Sequence, residues 1–166
     1  ALGGAVALMS AVCANRFRYK NIWTNMYVLN MAPTGAGKAA PQEMIDMILN
    51  EKLNCNLRGY SGYNSTSALN KNLKSKRERL DVIDEVKNLF MLMKDGGAWQ
   101  TTLISSLCAL WSASRGKYSG NEYASSSDDK DTTTCWNPCV SILGSGTVEG
   151  VKANITYGMI NDGLIP

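Results

Sequence analysis

Histidine is absent from the 166 residues, and what remains of the metal-ligand repertoire is sparse. Five cysteines occur, at Cys13, Cys55, Cys108, Cys135 and Cys139. Only Cys135-x-x-x-Cys139 has a ligand-like spacing, and it is one pair where a structural zinc site wants four ligands. The odd total and scattered positions also fail as a disulfide framework, so reduced thiols and a cytoplasmic location are expected. No run reaches the ~18 apolar residues of a membrane-spanning helix. The apolar start, Ala1 to Ala14, lacks the basic leader of a secretory signal, which makes an amphipathic helix packed on a sheet the better expectation.

What is present describes one globular domain over residues 1–166. Hydrophobic residues make up 45% and charged residues 19%, and the net charge of +3 permits a nucleic-acid partner without arguing for one. The start at Ala1 and the stop at Ile165-Pro166 give the look of a piece of a longer chain.

The most informative stretch is Asn25 to Ala39. A run of strand formers, Met26 to Met31, leads into Ala32-Pro-Thr-Gly-Ala-Gly-Lys38-Ala39, and a helical pattern follows. Strand, glycine loop, lysine and helix in that order are what a phosphate-binding loop needs. Backbone N–H groups around Thr34, Gly35, Ala36, Gly37 and Lys38 can wrap an anion, and the next helix adds the positive end of its dipole. Two expected residues are missing from the pattern G-x-x-x-x-G-K-[ST]. Ala32 stands at the first glycine, which costs little if the backbone there is extended. Ala39 stands where a hydroxyl normally ligates Mg²⁺. The structural alternative is a strand-to-helix turn with a surface lysine.

Further along, residues 3–17 read as a helix with Val6, Leu8, Met9 and Val12 as its apolar stripe, and residues 38–52 as a second helix with Pro41 in its first turn and Met44, Ile45, Ile48 and Leu49 inward. Residues 54–66 are loop-like, with room for a short strand at their start. Ser65 or Ser67 can cap the helix that follows. Lys71, Lys74, Lys76, Arg77 and Arg79 form a basic cluster that could contact a phosphate backbone, and Arg16, Arg18, Lys20 and Lys38 make the N-terminal part basic; solvated faces are the default for both.

Leu80, Val82 and Ile83 form a short strand interrupted by Asp81, with Asp84-Glu85 at its C-terminal end, where open α/β sheets place ligands. The first carboxylate can hold Mg²⁺ and the second can take a proton from an attacking water. The pair falls about 45 residues after the loop, a separation that strengthens both motifs. Val86, Leu89, Phe90 and Met93, then Leu103, Leu107, Leu110 and Trp111, mark two more helices. Tyr118 to Tyr123 suggests a hairpin arm, Ser125 to Thr134 a polar loop, and Arg115 a charge sensor. A third strand, Cys139 to Leu143, runs into Gly144-Ser-Gly-Thr147, whose Ser145 or Thr147 could orient a water; a plain turn into a helix over 148–155 is the alternative.

In this order the motifs resemble the phage- and plasmid-type primase/helicase-like P-loop ATPases, a family often described only as a domain of unknown function. The segments that carry the likeness are Asn25 to Lys38, Leu80 to Glu85, and Pro138 to Thr147. The resemblance implies a RecA/AAA-like three-layer α/β sandwich with a mainly parallel sheet. It also implies an ATPase motor acting on single-stranded DNA as a homo-oligomeric ring within a mobile-element replication protein. Lys38 would then be the phosphate lysine, Asp84 the magnesium-side acid and Glu85 the base, with ATP and Mg²⁺ as ligands. A nucleotide-binding module with little hydrolysis, motivated by Ala39, and a small P-loop kinase are the other readings. Isolated arginines weigh against the kinase.

Overall fold

The computed structural model describes residues 2–20, 22–53, 55–94, 97–120 and 134–165, with the side chains of 98–100 excepted. Its centre is a three-stranded parallel sheet. β3 (Tyr27–Met31) and β4 (Glu78–Ile83) flank β7 (Cys139–Gly146), and each pairs with that central strand rather than with the other. Every residue of β7 is buried, so it reads as a continuous apolar and small-residue run rather than an alternating one. It continues through Gly144, Ser145 and Gly146, which the sequence had suggested as a turn.

Helices cover both faces. On one lie α1 (Leu2–Cys13) and α2 (Ala40–Met47), the latter extended by a π turn over Ile48–Lys52; Ala7, Leu8, Ala11, Ile45 and Leu49 meet Leu80, Val82 and Leu143 there. On the other lie α3 (Thr66–Ser75), α4 (Lys87–Lys94) and α5 (Ala98–Ala113), which enclose Ile83, Val140 and Ile142. Strand residues of alternate parity feed the two cores, as the pleat requires. Two antiparallel ribbons complete the frame, β1 (Arg18–Tyr19) with β2 (Ile22–Trp23) and β5 (Lys117–Ser119) with β6 (Thr134–Trp136). Short helices α6 (Val148–Lys152) and α7 (Tyr157–Asn161) follow β7.

Several elements obey the local signals closely. Ser65 caps α3, its Oγ accepting the Ala68 N–H at 3.1 Å, and Pro41 sits in the first turn of α2. Val86, Leu89, Phe90 and Met93 are all buried, as helical spacing predicts. Of the suggested arm, Tyr118 and Ser119 lie in β5, whose partner is β6; residues 121–133, including the rest of that arm and most of the suggested polar loop, lie outside the described residues.

The phase of α1 differs from the expected stripe. Val6 and Met9 are exposed, and Gly4, Ala7, Leu8, Ser10 and Ala11 face inward. Close approach decides this: a Cβ on Gly4 would lie 2.9 Å from the Pro41 side chain, so α1 presents its small residues to α2 and the sheet. Ser10 makes the same face useful: its hydroxyl donates to the Ala7 carbonyl at 2.7 Å and its oxygen lies 2.8 Å from Ser141 Oγ, from which it can accept.

The aspartate that interrupts the second apolar strand has a full set of partners. Asp81 is completely buried and accepts from Arg79 Nε at 2.9 Å, from the Tyr63 hydroxyl at 2.6 Å and from the Tyr60 N–H at 2.6 Å. Arg79, two residues earlier on the same strand face, is equally buried and lies under the Tyr60 ring. It therefore does not belong to the surface cluster with which the sequence grouped it. Both tyrosines arrive on a segment that pairs with the outer side of β4: Gly59 N–H donates to Leu80, Leu80 N–H to Leu57, and Val82 N–H to Tyr60. The short strand expected at the start of residues 54–66 is not formed among the described residues; the segment makes an isolated parallel bridge, Arg58 to Leu80, instead. Gly59 lets it pass, since a Cβ there would overlap the Asp81 carboxylate.

Candidate functional site

All three parallel strands end at one edge, and each ends in a segment singled out from sequence. β3 leads into Ala32 to Ala39, β4 into Asp84-Glu85, and β7 into Thr147. The central strand ties the other two together. Ala32 N–H donates to the Gly146 carbonyl at 3.1 Å, extending the ladder by one residue, and Val86 N–H donates to the Ser145 carbonyl at 2.8 Å. The backbone at Ala32 thus continues the strand pairing, which is why an alanine is tolerated at that position.

Within the loop, Gly35 (φ 81°) and Gly37 (φ 72°) occupy the left-handed region that side chains disfavour. Nothing lies within 4 Å of where a Cβ would stand at either, so backbone angle rather than crowding demands glycine here. The Ala36 N–H is used by the Pro33 carbonyl at 3.2 Å. The N–H groups of Gly35, Gly37 and Lys38 meet no acceptor among the described residues. Thr34, Gly35, Ala36, Gly37 and Ala39 are exposed, Lys38 is half-buried, and α2 begins at Ala40 directly behind them. Open donors on a glycine loop at a helix N-terminus form a concavity suited to an anion.

The acid pair sits across β7 from this loop. Asp84 is exposed, and its Oδ1 accepts the Glu85 N–H at 3.0 Å. Glu85 has φ 51°, a left-handed angle that costs a non-glycine residue on the order of 1 kcal/mol or more. Its carboxylate lies 3.2 Å from Lys87 Nζ, with both side chains about two-fifths exposed (42% and 41%), so the ion pair is screened and weak. Val86 is drawn against Gly144 and Gly146 of β7, where added Cβ atoms would come within 2.8 Å and 3.2 Å of it.

The two hydroxyls proposed near the third strand end are placed differently from each other. Thr147 caps α6, its Oγ1 accepting the Gly150 N–H at 3.1 Å. Ser145 is a strand residue, fully buried, in register with Asn30 of β3, and its Oγ accepts from Gln42 Nε2 at 3.1 Å. Gln42 was not singled out from sequence; a glutamine in the first turn after a glycine loop was the available signal.

Arg115 lies at the opposite end of the sheet. It follows α5, and the next residue, Gly116, accepts the Asn137 N–H just before β7 begins. The basic residues near Arg77 and Arg16 share that far edge: Arg77 immediately precedes β4, Arg16 approaches Glu78, and Lys76 is held by Asn56 Oδ1 and the Arg58 carbonyl at 2.7 Å. Of the cations named from sequence as ligand-facing, Lys38 follows a strand that ends on the same side of the sheet as the acid pair, and Arg115 does not.

Burial perturbs thiols and phenols away from this edge. The Cys139 thiol is pushed up to about 12, chiefly by desolvation and secondarily by Glu78. The Tyr63 phenol is raised well above its ordinary value by burial and by Asp81, and that of Tyr27 by burial foremost. The five cysteines are unpaired. Among the described residues no group of three metal-ligating side chains occurs, and no helix is long and apolar enough to cross a membrane. In comparisons with protein-family models, with curated proteins and with solved structures, none matches the chain.

Proposed function

We propose that the chain is a P-loop ATPase domain, the ATP-binding and hydrolysing motor of a helicase-like replication protein of a phage, prophage or plasmid. The observation that carries this reading is the meeting of three strand ends at one edge, a glycine loop with open N–H donors and Lys38 on one side of β7 and Asp84-Glu85 on the other. The strand order, with the third strand of the sequence inserted between the loop strand and the acid strand, suits the RecA/AAA-like arrangement.

The residues present fit a triphosphate. Gly35, Gly37 and Lys38 offer unclaimed backbone N–H groups, and the Lys38 ammonium adds a point charge for the terminal phosphates. A magnesium ion would rest on Asp84, whose exposed carboxylate leaves one oxygen unclaimed by Glu85 N–H. Mg²⁺ retains several waters and is commonly held by one or two carboxylates with substrate phosphates, so a site without the Ala39 hydroxyl is chemically reasonable. When bound, the ion supplies charge neutralisation on the phosphates. Glu85 is the group to take the proton of an attacking water, and Lys38 stabilises charge on the transferred phosphoryl group. Single-stranded DNA is the proposed partner and a homo-oligomeric ring the proposed assembly.

Direct measurement of ATP binding and turnover, with and without single-stranded DNA, tests the proposal. Lys38→Ala should weaken ATP binding by at least about tenfold, and Glu85→Gln should leave binding intact while cutting turnover by ~100-fold or more. Turnover untouched by Glu85→Gln would sink the hydrolytic reading. Binding without turnover in the natural sequence would favour the second reading, a nucleotide-dependent interaction module, which the absent hydroxyl at Ala39 motivates.

A further inference from the structure

Ser145 occupies a junction that no linear motif describes. Its backbone carbonyl holds Val86 N–H, one residue past the acid pair, and its side-chain oxygen holds Gln42, four residues past Lys38. The same residue is paired in register with Asn30, near the end of the strand that feeds the phosphate loop. A fully buried hydroxyl needs a partner, because leaving one unsatisfied costs ~1–3 kcal/mol. Gln42 is that partner, and it can serve only while the first turn of α2 keeps its place over β7. The position of α2 in turn follows the loop, since Gly37 accepts the Ala40 N–H and Ala39 accepts those of Gln42 and Glu43.

We infer that the Gln42–Ser145 hydrogen bond is a coupling element, through which occupancy of the phosphate loop is communicated to the Asp84–Val86 turn. Gln42 and Ser145 are positioning residues. Ser145 acts by fixing the turn through its carbonyl, and its hydroxyl belongs to Gln42 rather than to a reacting water. The inference rests on the proposed nucleotide site. Anion binding at Gly35 to Lys38 draws the loop and the first turn of α2 toward the ligand, Gln42 moves with that turn, and Ser145 transmits the change to the bond its carbonyl makes with Val86 N–H at the acid turn. Gln42 and Ser145 are 103 residues apart in sequence, yet the path from α2 to the acid turn is one side-chain bond and one backbone bond.

Hydrogen exchange of the amides from Val82 to Leu89, measured with and without ATP, tests this without requiring turnover. In the natural sequence ATP should slow exchange at Val86 by about tenfold. Gln42→Met keeps the length of a half-exposed side chain and removes only its polar end. It should bind ATP within about threefold of the natural protein and lose the slowing at Val86. Ser145→Ala, which deletes a single oxygen, should behave the same way, and the double variant should be no worse than either single one. Where turnover is measurable, the loss should appear in kcat and leave KM nearly unchanged. Persistence of the slowing in Gln42→Met, or no slowing in a natural protein that binds ATP, would overturn the coupling. Absence of ATP binding in the natural protein would instead remove the nucleotide site itself, and this inference with it.

Discussion

Asp81 shows how a single residue can look like a defect in a motif and be a fixed part of the frame. Its carboxylate is compensated by Arg79, by the Tyr63 hydroxyl and by the Tyr60 N–H, all in a site from which water is excluded. Replacing it by asparagine keeps the shape and leaves Arg79 as an uncompensated buried charge, which should cost ~3–5 kcal/mol in a urea unfolding experiment. A loss below about 1 kcal/mol would show that Arg79 has found another partner. The sequence could not show the arrangement, because the tyrosines that complete it lie 18 to 21 residues away on a segment with no strong strand signal. Ser145 was visible as a polar residue at a strand end, but its partner Gln42 was not, for the same reason of separation.

At the scale of elements, the approach of the Val86 turn to β7 is the controlling contact at the site. Gly144 and Gly146 are glycines because that turn passes over them, not because the chain turns there. Gly144→Ala places a Cβ 2.8 Å from Val86 Cγ2 and 3.2 Å from Leu29 Cδ2. Overpacking of this kind should cost ~1–3 kcal/mol in denaturant titrations. Combining it with Val86→Ala should give a total loss smaller than the sum of the single losses; strict additivity would argue that the two do not touch. Elements whose logic is local were legible. The stripe of α4, the Ser65 cap of α3 and the order of strand, glycine loop and helix around Lys38 all follow from neighbours in sequence. Elements shaped by close approach were not: the small-residue face of α1 lost out to Val6 and Met9 in a reading weighted by apolar size, and β7 ran three residues past its expected end.

Across the whole molecule, protons held by buried groups tie stability to alkaline pH. The Cys139 thiol, raised to about 12 in the fold, ionises in the unfolded chain near the ordinary value of about 8.5. Above that value the unfolded state binds fewer protons than the native one, so stability falls as pH rises, by up to ~1.4 kcal/mol per unit for one group, until the folded thiol itself titrates. The raised phenols of Tyr27 and Tyr63 add to the decline above about pH 10. Unfolding free energies measured at pH 7, 8 and 10 should be nearly level over the first interval and drop over the second. Cys139→Ala should flatten the drop, and a flat profile in the natural sequence would contradict the assignment.

The order of the sheet also bears on how the chain acquires its structure. β3 and β4 are made first, yet neither pairs with the other; both wait for β7, whose first residue is Cys139. Until that strand is in place the sheet has no hydrogen-bonded ladder between its strands, and two apolar segments stand with open edges. Parallel pairing over such separations closes long loops before any contact rewards it, so assembly is late, slow and cooperative. During synthesis such unpaired strand edges are open to association with other chains.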